Sequence, residues 1–299
     1  MTSMPYAMQT FGTVPRIGFV GDTHGNLGHL LAASRLFKSH GIAVVTVLGD
    51  FGFVWPGVDW GRDLDKLERR LADQQQTLFF VDGNHDWHPR LREFDQGEDG
   101  IRWVRSNVGY VPRGYRVRLA SGSTLAALGG ANSIDREHRV SPAAAGRHAN
   151  AASWWPEESI TDVDLDVLGT DSADVLIAHD APLHVPALDA MLARTDRYWS
   201  PEGRAYAAAG RRKFHEGFLR VRPRVSLSGH YHYPVDETVT YDADPKFSCR
   251  VVVLDMAAGD SRSASQAILD VATLDVQILN LNGHAVRISD STPSGSGAD

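Results

Sequence analysis

The spacing of apolar positions changes along the chain. Five short runs, Arg16–Val20, Ala43–Leu48, Thr77–Val81, Asp174–Ala178 and Arg224–Ser228, are largely apolar, and each is followed at once by Gly, Asp or His. Apolar runs of this length with such boundaries read as buried strands. Between the first three the period lengthens. Leu27, Leu30, Leu31 and Leu36, then Trp60, Leu64, Leu67 and Leu71 with charges between them, recur as on one face of a helix. The resulting strand–helix–strand–helix–strand order predicts parallel strands joined by right-handed crossovers.

Beyond residue 100 the pattern is less regular. The segments IRWV, YRVRL and TLAALGG between residues 101 and 129 predict short strands and turns, read as an added hairpin. A polar, alanine-rich stretch from Ala131 to about Thr161, containing Trp154, Trp155 and Pro156, is too long for a plain connection. A mostly helical insertion, about residues 186–222, precedes the Arg224 strand, and Val235–Ile288 is again strand-rich. The last residues, 291–299 (STPSGSGAD), have the composition of a disordered tail. With no repeat and no linker, residues 1–290 are expected to form one domain.

Composition narrows the class. Of 299 residues, 42% are hydrophobic and 22% charged, ordinary globular values that exclude wholesale disorder. The one cysteine, Cys249, can form no internal disulfide, and no run approaches 18 apolar residues. The first twelve residues carry no base, which argues against a secretory leader. A cytoplasmic protein without membrane contact is expected. The net charge of −7 offers no general attraction to nucleic acid, yet the stretch Arg194–Arg224 holds nine basic residues against Asp196, Glu202 and Glu216. That stretch is either an exposed basic helix face or a flank of the site that attracts polyanions. Oligomeric state is left open by the sequence.

The chemistry lies just beyond the strands. Gly21-Asp22-Thr23-His24-Gly25 follows the first, Gly49-Asp50-Phe51-Gly52 the second, and Gly83-Asn84-His85-Asp86 the third. His179-Asp180 follows the fourth and Gly229-His230-Tyr231-His232 the fifth. Carboxyl ends of strands are where α/β sheets bind ligands, so the five turns can converge. Aspartate, asparagine and histidine together suit divalent cations. Residues two apart in an extended chain project to the same side, so Asp22 with His24, and His230 with His232, can chelate in pairs. A carboxylate such as Asp50 can bridge two ions, and paired ions suit phosphoryl displacement. The other eight histidines, His29, His40, His88 and His215 among them, have no such setting.

The ordered set D-x-H, GD, GNH, H and GHxH, spanning residues 16 to about 255, resembles the calcineurin-like metallophosphoesterase superfamily. The resemblance implies an α/β fold, a four-layer αββα sandwich of two mixed sheets flanked by helices. It implies two divalent metal ions, manganese first, with iron, zinc or cobalt also suited. Carried over by position, Asp22, His24, Asp50 and His232 hold the first ion, and Asp50, Asn84, His179 and His230 the second. It further implies hydrolysis of phosphomono- or phosphodiesters by a metal-bridging hydroxide. His85 acts as the acid or charge stabiliser, and Asp86 is expected to orient it. Members resembling serine/threonine protein phosphatases carry GD-x-x-D-R-G where this chain has GDFG, which argues against a phosphoprotein substrate. Nucleotides or nucleic-acid ends are the candidate substrates. The alternative is a catalytically weak metal-binding scaffold acting through partner recognition; His85, which a scaffold does not need, argues against it.

Four residues are candidates for substrate contact. Phe51, in the aromatic run Phe51, Phe53, Trp55, is either core packing or a wall for a flat leaving group. Asn132, in the Gly129–Arg136 segment GGANSIDR (a segment similar to one in bacterial and phage-like superfamily members), can point toward the metals. Arg136 or Arg139 is a candidate phosphate clamp, the competing reading being a loop tied by salt bridges to Asp135.

Overall fold

The central strands are buried at every position, and alternate side chains feed different cores. In Val44–Val47, Val44 joins one cluster while Val45 and Val47 join another; in Val175–Ala178, Val175 and Ile177 part in the same way from Leu176 and Ala178. Strands buried on both faces belong to sheets covered on both sides. The computed structural model describes residues 10–56, 60–140, 153–257 and 262–288. The expected tail at 291–299 and residues 141–152 of the long polar stretch lie outside them.

In chain order the elements are β1 (Arg16–Val20), α1 (Leu27–Ser39), β2 (Val44–Val47), α2 (Trp60–Asp73), β3 (Thr77–Phe80), α3 (His88–Glu93), β4 (Arg102–Arg105), β5 (Val108–Tyr110), β6 (Arg116–Arg118) and β7 (Thr124–Leu128). Then come α4 (Arg136–Arg139), α5 (Asp162–Leu168), β8 (Val175–Ala178), α6 (Pro186–Thr195), α7 (Pro201–Val221), β9 (Val225–Ser228), β10 (Val235–Tyr241), β11 (Phe247–Val253), β12 (Gln266–Asp270) and β13 (Val276–Leu279). The first sheet runs β13-β12-β1-β2-β3-β5-β4 and the second β10-β11-β9-β8-β7-β6. Both are mixed: β1-β2-β3 are parallel in one, as the strand–helix alternation predicts, and β7-β8-β9 are parallel in the other.

The sheets pack face to face through Ile17, Phe19, Phe79, Ile177, Leu227 and Val252. Helices α1 and α2 cover the outer face of the first sheet through Leu30, Phe37, Leu64 and Leu67. The outer face of the second sheet is covered through Leu165, Leu188, Phe214 and Phe218 of α5, α6 and α7. This is the four-layer αββα sandwich. One expectation is corrected: the 101–129 segment is not one hairpin. β4 and β5 pair in the first sheet, whereas β6 and β7 pair in the second, so the chain crosses between layers after Tyr110. Short strands with turn residues look alike whichever sheet they join. No helix among the described residues is long and apolar enough to cross a membrane.

Candidate metal centre

β1, β2, β3, β8 and β9 end at the same edge of the sandwich, and the turns that follow them are bonded to one another. The N–H groups of Thr23 and His24 donate to the Asp50 carbonyl at 3.2 and 2.8 Å, and Gly25 N–H donates to Phe51 O at 3.0 Å. His230 N–H donates to both carboxylate oxygens of Asp22 at 3.0 and 3.1 Å, and His85 N–H to Asp50 Oδ1 at 2.6 Å. Asp22 and Asp50 are thus buried and oriented by backbone donors before any ligand is considered.

Four of these residues sit in the left-handed region: His24 at φ 44°, Asp50 at 47°, His230 at 69° and His232 at 49°. Such conformations cost roughly 1–3 kcal/mol each and persist where the surroundings hold them. Here the mutual bonding of the turns does so. Two glycines permit the closeness: a Cβ on Gly83 would lie 2.2 Å from Asp50 Oδ1, and one on Gly229 2.0 Å from Asp22 Oδ1.

The result is a cluster of nitrogen and oxygen donors. Asp22, His24 and His232 bring one atom each within 4.8 Å of one another, and so do Asp22, Asp50 and His179. Asp50 spans the two groups, with Oδ1 3.4 Å from His179 Nε2 and Oδ2 3.7 Å from His24 Nε2. Asn84 Oδ1 lies 3.0 Å from His179 Nε2. The His230 ring packs 4.9 Å, centroid to centroid, from that of His179. The sequence therefore named a set that the fold brings together.

Electrostatics favours positive charge at this point. Burial alone disfavours a proton on His179, but Asp50 and Asp22 outweigh it and lift the imidazole to about 9. Burial also raises Asp50, yet His179, His85 and His24 more than offset this and hold it well below the carboxylate range. The same field attracts divalent cations, and the mixed carboxylate, imidazole and amide set fits manganese, iron, zinc or cobalt. For His85 burial is the largest influence, and its imidazole is lowered despite Asp50.

Several expected roles move. Asp86 accepts from the backbone N–H groups of Gly83, Gly52 and Phe51 at 2.9, 3.0 and 3.3 Å, so it ties two turns together, and no described contact joins it to the His85 ring. Phe51 is fully buried and stacks on Phe80 at 4.2 Å, offering no face to a ligand. Arg136 lies over the rings of Trp154 and Tyr206 at 4.6 and 4.8 Å. Asn132 is buried with its Nδ2 donating to Tyr206 O at 2.9 Å. Arg139 is buried too, 3.6 Å from Asp135, and donates to the Asn84 carbonyl at 2.9 Å. Each of these side chains already has a structural partner: Arg139 matches the reading of a loop tied to Asp135, whereas Arg136 is held by two aromatic rings.

What the sequence did not single out is the support beneath Asn84. Its Nδ2 donates to Ser133 Oγ at 3.1 Å; Ser133 Oγ donates to Glu158 Oε2 at 2.6 Å; and Glu158 accepts the Ser133 N–H at 2.8 Å. Ser133 and Glu158 are fully buried. Arg113 anchors the same turn, pairing with Asp82 at 2.6 Å and donating to the carbonyls of Glu157, Glu158 and Ser159. The signal was partial: Ser133 lies in the Gly129–Arg136 segment and Glu158 just past Pro156, both in the long polar stretch, but nothing local says they meet.

A cavity of about 620 Å³ opens beside the cluster, with Asp50, Asn84, His85, His230 and His232 along one wall and α6 and α7 along another.

Among solved structures the chain is similar to a Thermus thermophilus protein, TT1561, at 15% identity and TM-score 0.52, covering 90% of this chain and all of that one. An archaeal phosphodiesterase matches at 14% identity and TM-score 0.41, over 89% of this chain and 99% of its own. A dimetal phosphatase from Danio rerio matches at 12% and 0.47, over 89% and 95%. No curated protein matches. At these identities the first likeness shows a shared fold. Residues 15–234 match the family model for calcineurin-like phosphoesterases, which contains all five turns of the cluster. The chain therefore belongs to the calcineurin-like phosphoesterase family and is a metal-dependent phosphoric ester hydrolase.

Proposed function

We propose that this protein hydrolyses phosphomono- or phosphodiesters at a two-metal centre held by Asp22, His24, Asp50 and His232 on one side and Asp50, Asn84, His179 and His230 on the other. The carrying observation is the convergence of donors from five separate turns, with Asp50 reaching His24 and His179 through different oxygens. Two divalent cations in such a cluster neutralise phosphoryl charge and supply an activated water. Manganese is the first to test; iron, zinc and cobalt suit the same donors.

In this reading His85 delivers a proton to the departing oxygen or stabilises charge on the phosphoryl group. Its ring stands 5.4 Å from that of His24 and lines the cavity, while its backbone N–H is fixed on Asp50. A phosphate ester entering there meets His85 beside the cluster, along the same wall. Nucleotides or nucleic-acid ends are the substrate class proposed, in keeping with the cationic insertion beside the cavity. Cys249, buried and unpaired, is in keeping with a reducing, cytoplasmic setting.

The test is hydrolysis of p-nitrophenyl phosphate and bis(p-nitrophenyl) phosphate with Mn²⁺ by the wild type and His85→Ala. Loss of roughly 10²–10⁴-fold in kcat with unchanged metal content is expected of a proton donor. Equal inertness of both metal-loaded proteins on these esters and on nucleotides overturns the enzymatic reading in favour of a scaffold.

A further inference from the structure

The insertion does more than carry charge. Arg204, Ala207, Ala208, Arg211 and Arg212 recur along α7 at helical spacing, and all five line the cavity beside the metal centre. Alanine at the two middle positions leaves room where larger side chains would close on α6. Leu183, Met191, Leu192 and Trp199 complete an apolar wall, with Trp199 39% exposed. At about 620 Å³ the space matches pockets for whole organic ligands. A phosphoryl group needs far less.

Its charges are distinguishable. Arg211 is buried against Asp189 at 2.8 Å and the Ala181 carbonyl at 3.2 Å. Arg204 faces Asp196 at 3.6 Å, and Asp135 faces Arg139 at 3.6 Å. Arg212 is exposed, lines the cavity, and has no carboxylate partner among the described residues. The pocket thus joins the metal centre to an apolar body with an uncompensated cation on its wall.

We propose that this is the leaving-group pocket, and that it selects phosphate esters whose leaving group is a flat aromatic body bearing a further negative charge. The ring lies against Leu192, Ala207, Ala208 and Trp199, and the charge faces Arg212. Planar rings fill a slot between two helices with little entropy to lose, and a guanidinium without a partner favours an anion there. The inference deepens the phosphoesterase reading and rests on it for the role of the bound group, whereas binding can be read without turnover.

The experiment titrates the metal-loaded protein with naphthalene-1-sulfonate and with neutral 1-naphthol, by calorimetry. The sulfonate is expected to bind about tenfold more tightly, the scale of a hydrogen bond to a charged group. Arg212→Gln should bring the two ligands together, and Ala208→Trp should weaken both by tenfold or more. Trp199→Ala serves where Ala208→Trp fails to fold, and should weaken both as well. In turnover, Ala208→Trp should lower kcat/KM for 1-naphthyl phosphate by a larger factor than for glycerol 3-phosphate, whose leaving group reaches fewer of the pocket contacts. Adenosine 5′-monophosphate as a competitive inhibitor separates the sources. Inhibition weakened by Ala208→Trp assigns the pocket to nucleotides, and inhibition unchanged assigns it to other aryl anions. Failure of the wild type to bind the sulfonate, or equal binding by wild type and Ala208→Trp, overturns the proposal. Sulfonate binding without hydrolysis of any ester instead overturns the enzymatic reading and leaves the pocket standing.

Discussion

The backbone N–H of His85 donates to Asp50 Oδ1 at 2.6 Å, so the carboxylate at the middle of the donor cluster also fixes the loop that carries the candidate acid. One side chain thus couples the proposed cation site to the proposed proton donor. The turn after β2 and the turn after β3 are held as one unit, and Asp86 fastens them a second time through Gly52 and Gly83.

Asp50→Asn should depress occupancy of both metals, because the amide lacks one anionic oxygen and the second group loses its charge. His232→Ala should lower mainly the ion beside Asp22 and His24. Metal content by plasma emission after dialysis checks this. Normal content of both ions in Asp50→Asn would contradict the bridging role.

Ser133→Ala and Glu158→Gln should weaken metal binding without touching a donor atom. With Ser133 accepting from Nδ2, Asn84 keeps Oδ1 toward His179; without it the amide is free to turn. Losses of supporting contacts of this kind typically cost about 10–100-fold in affinity, readable by metal titration calorimetry. An unchanged affinity in both variants would show that Asn84 is oriented by its backbone alone.

Phe51→Leu and Arg136→Met should act on stability and not on substrate binding. The first loses the stacked contact with Phe80, about 1–2 kcal/mol. The second loses two ring faces, about 1 kcal/mol for a partly exposed cation–π pair. Urea midpoints should fall while KM for aryl phosphates stays constant; a raised KM in either would restore a substrate-contacting role.

Stability should fall in mild acid through His29. Its ring is buried, with Nε2 2.9 Å from Gln266 Nε2, and burial lowers its pKa from 6.5 to about 4. The unfolded chain therefore binds this proton near pH 6.5 and the folded chain only near 4. The stabilisation is complete above pH 6.5 and is lost as pH falls toward 4, a span worth about 3 kcal/mol at most. His29→Gln should flatten urea denaturation free energy over that window. A variant whose slope matches the wild type would show that other groups govern it.

The sequence by itself determined the early strands and helices and the donor residues that follow the strands. Period-two and period-3.6 patterns reach the chain's local geometry directly, so β1, α1, β2, α2 and β3 were legible to within a residue or two. Glycine, aspartate and histidine at strand ends are conspicuous because apolar strands do not otherwise stop on such residues. Only the tertiary structure decided which side chains have partners elsewhere. Arg139, Arg136 and Phe51 read in sequence as either substrate contacts or structural groups, and are occupied by Asn84, Trp154 and Phe80. Ser133 and Glu158, 25 residues apart, meet under Asn84, and α7 turns its arginine–alanine face toward His230 and His232. Hydrogen bonds and ion pairs act over a few ångströms, and distances of that kind between remote segments are set by how the layers pack, not by any property of the segments alone.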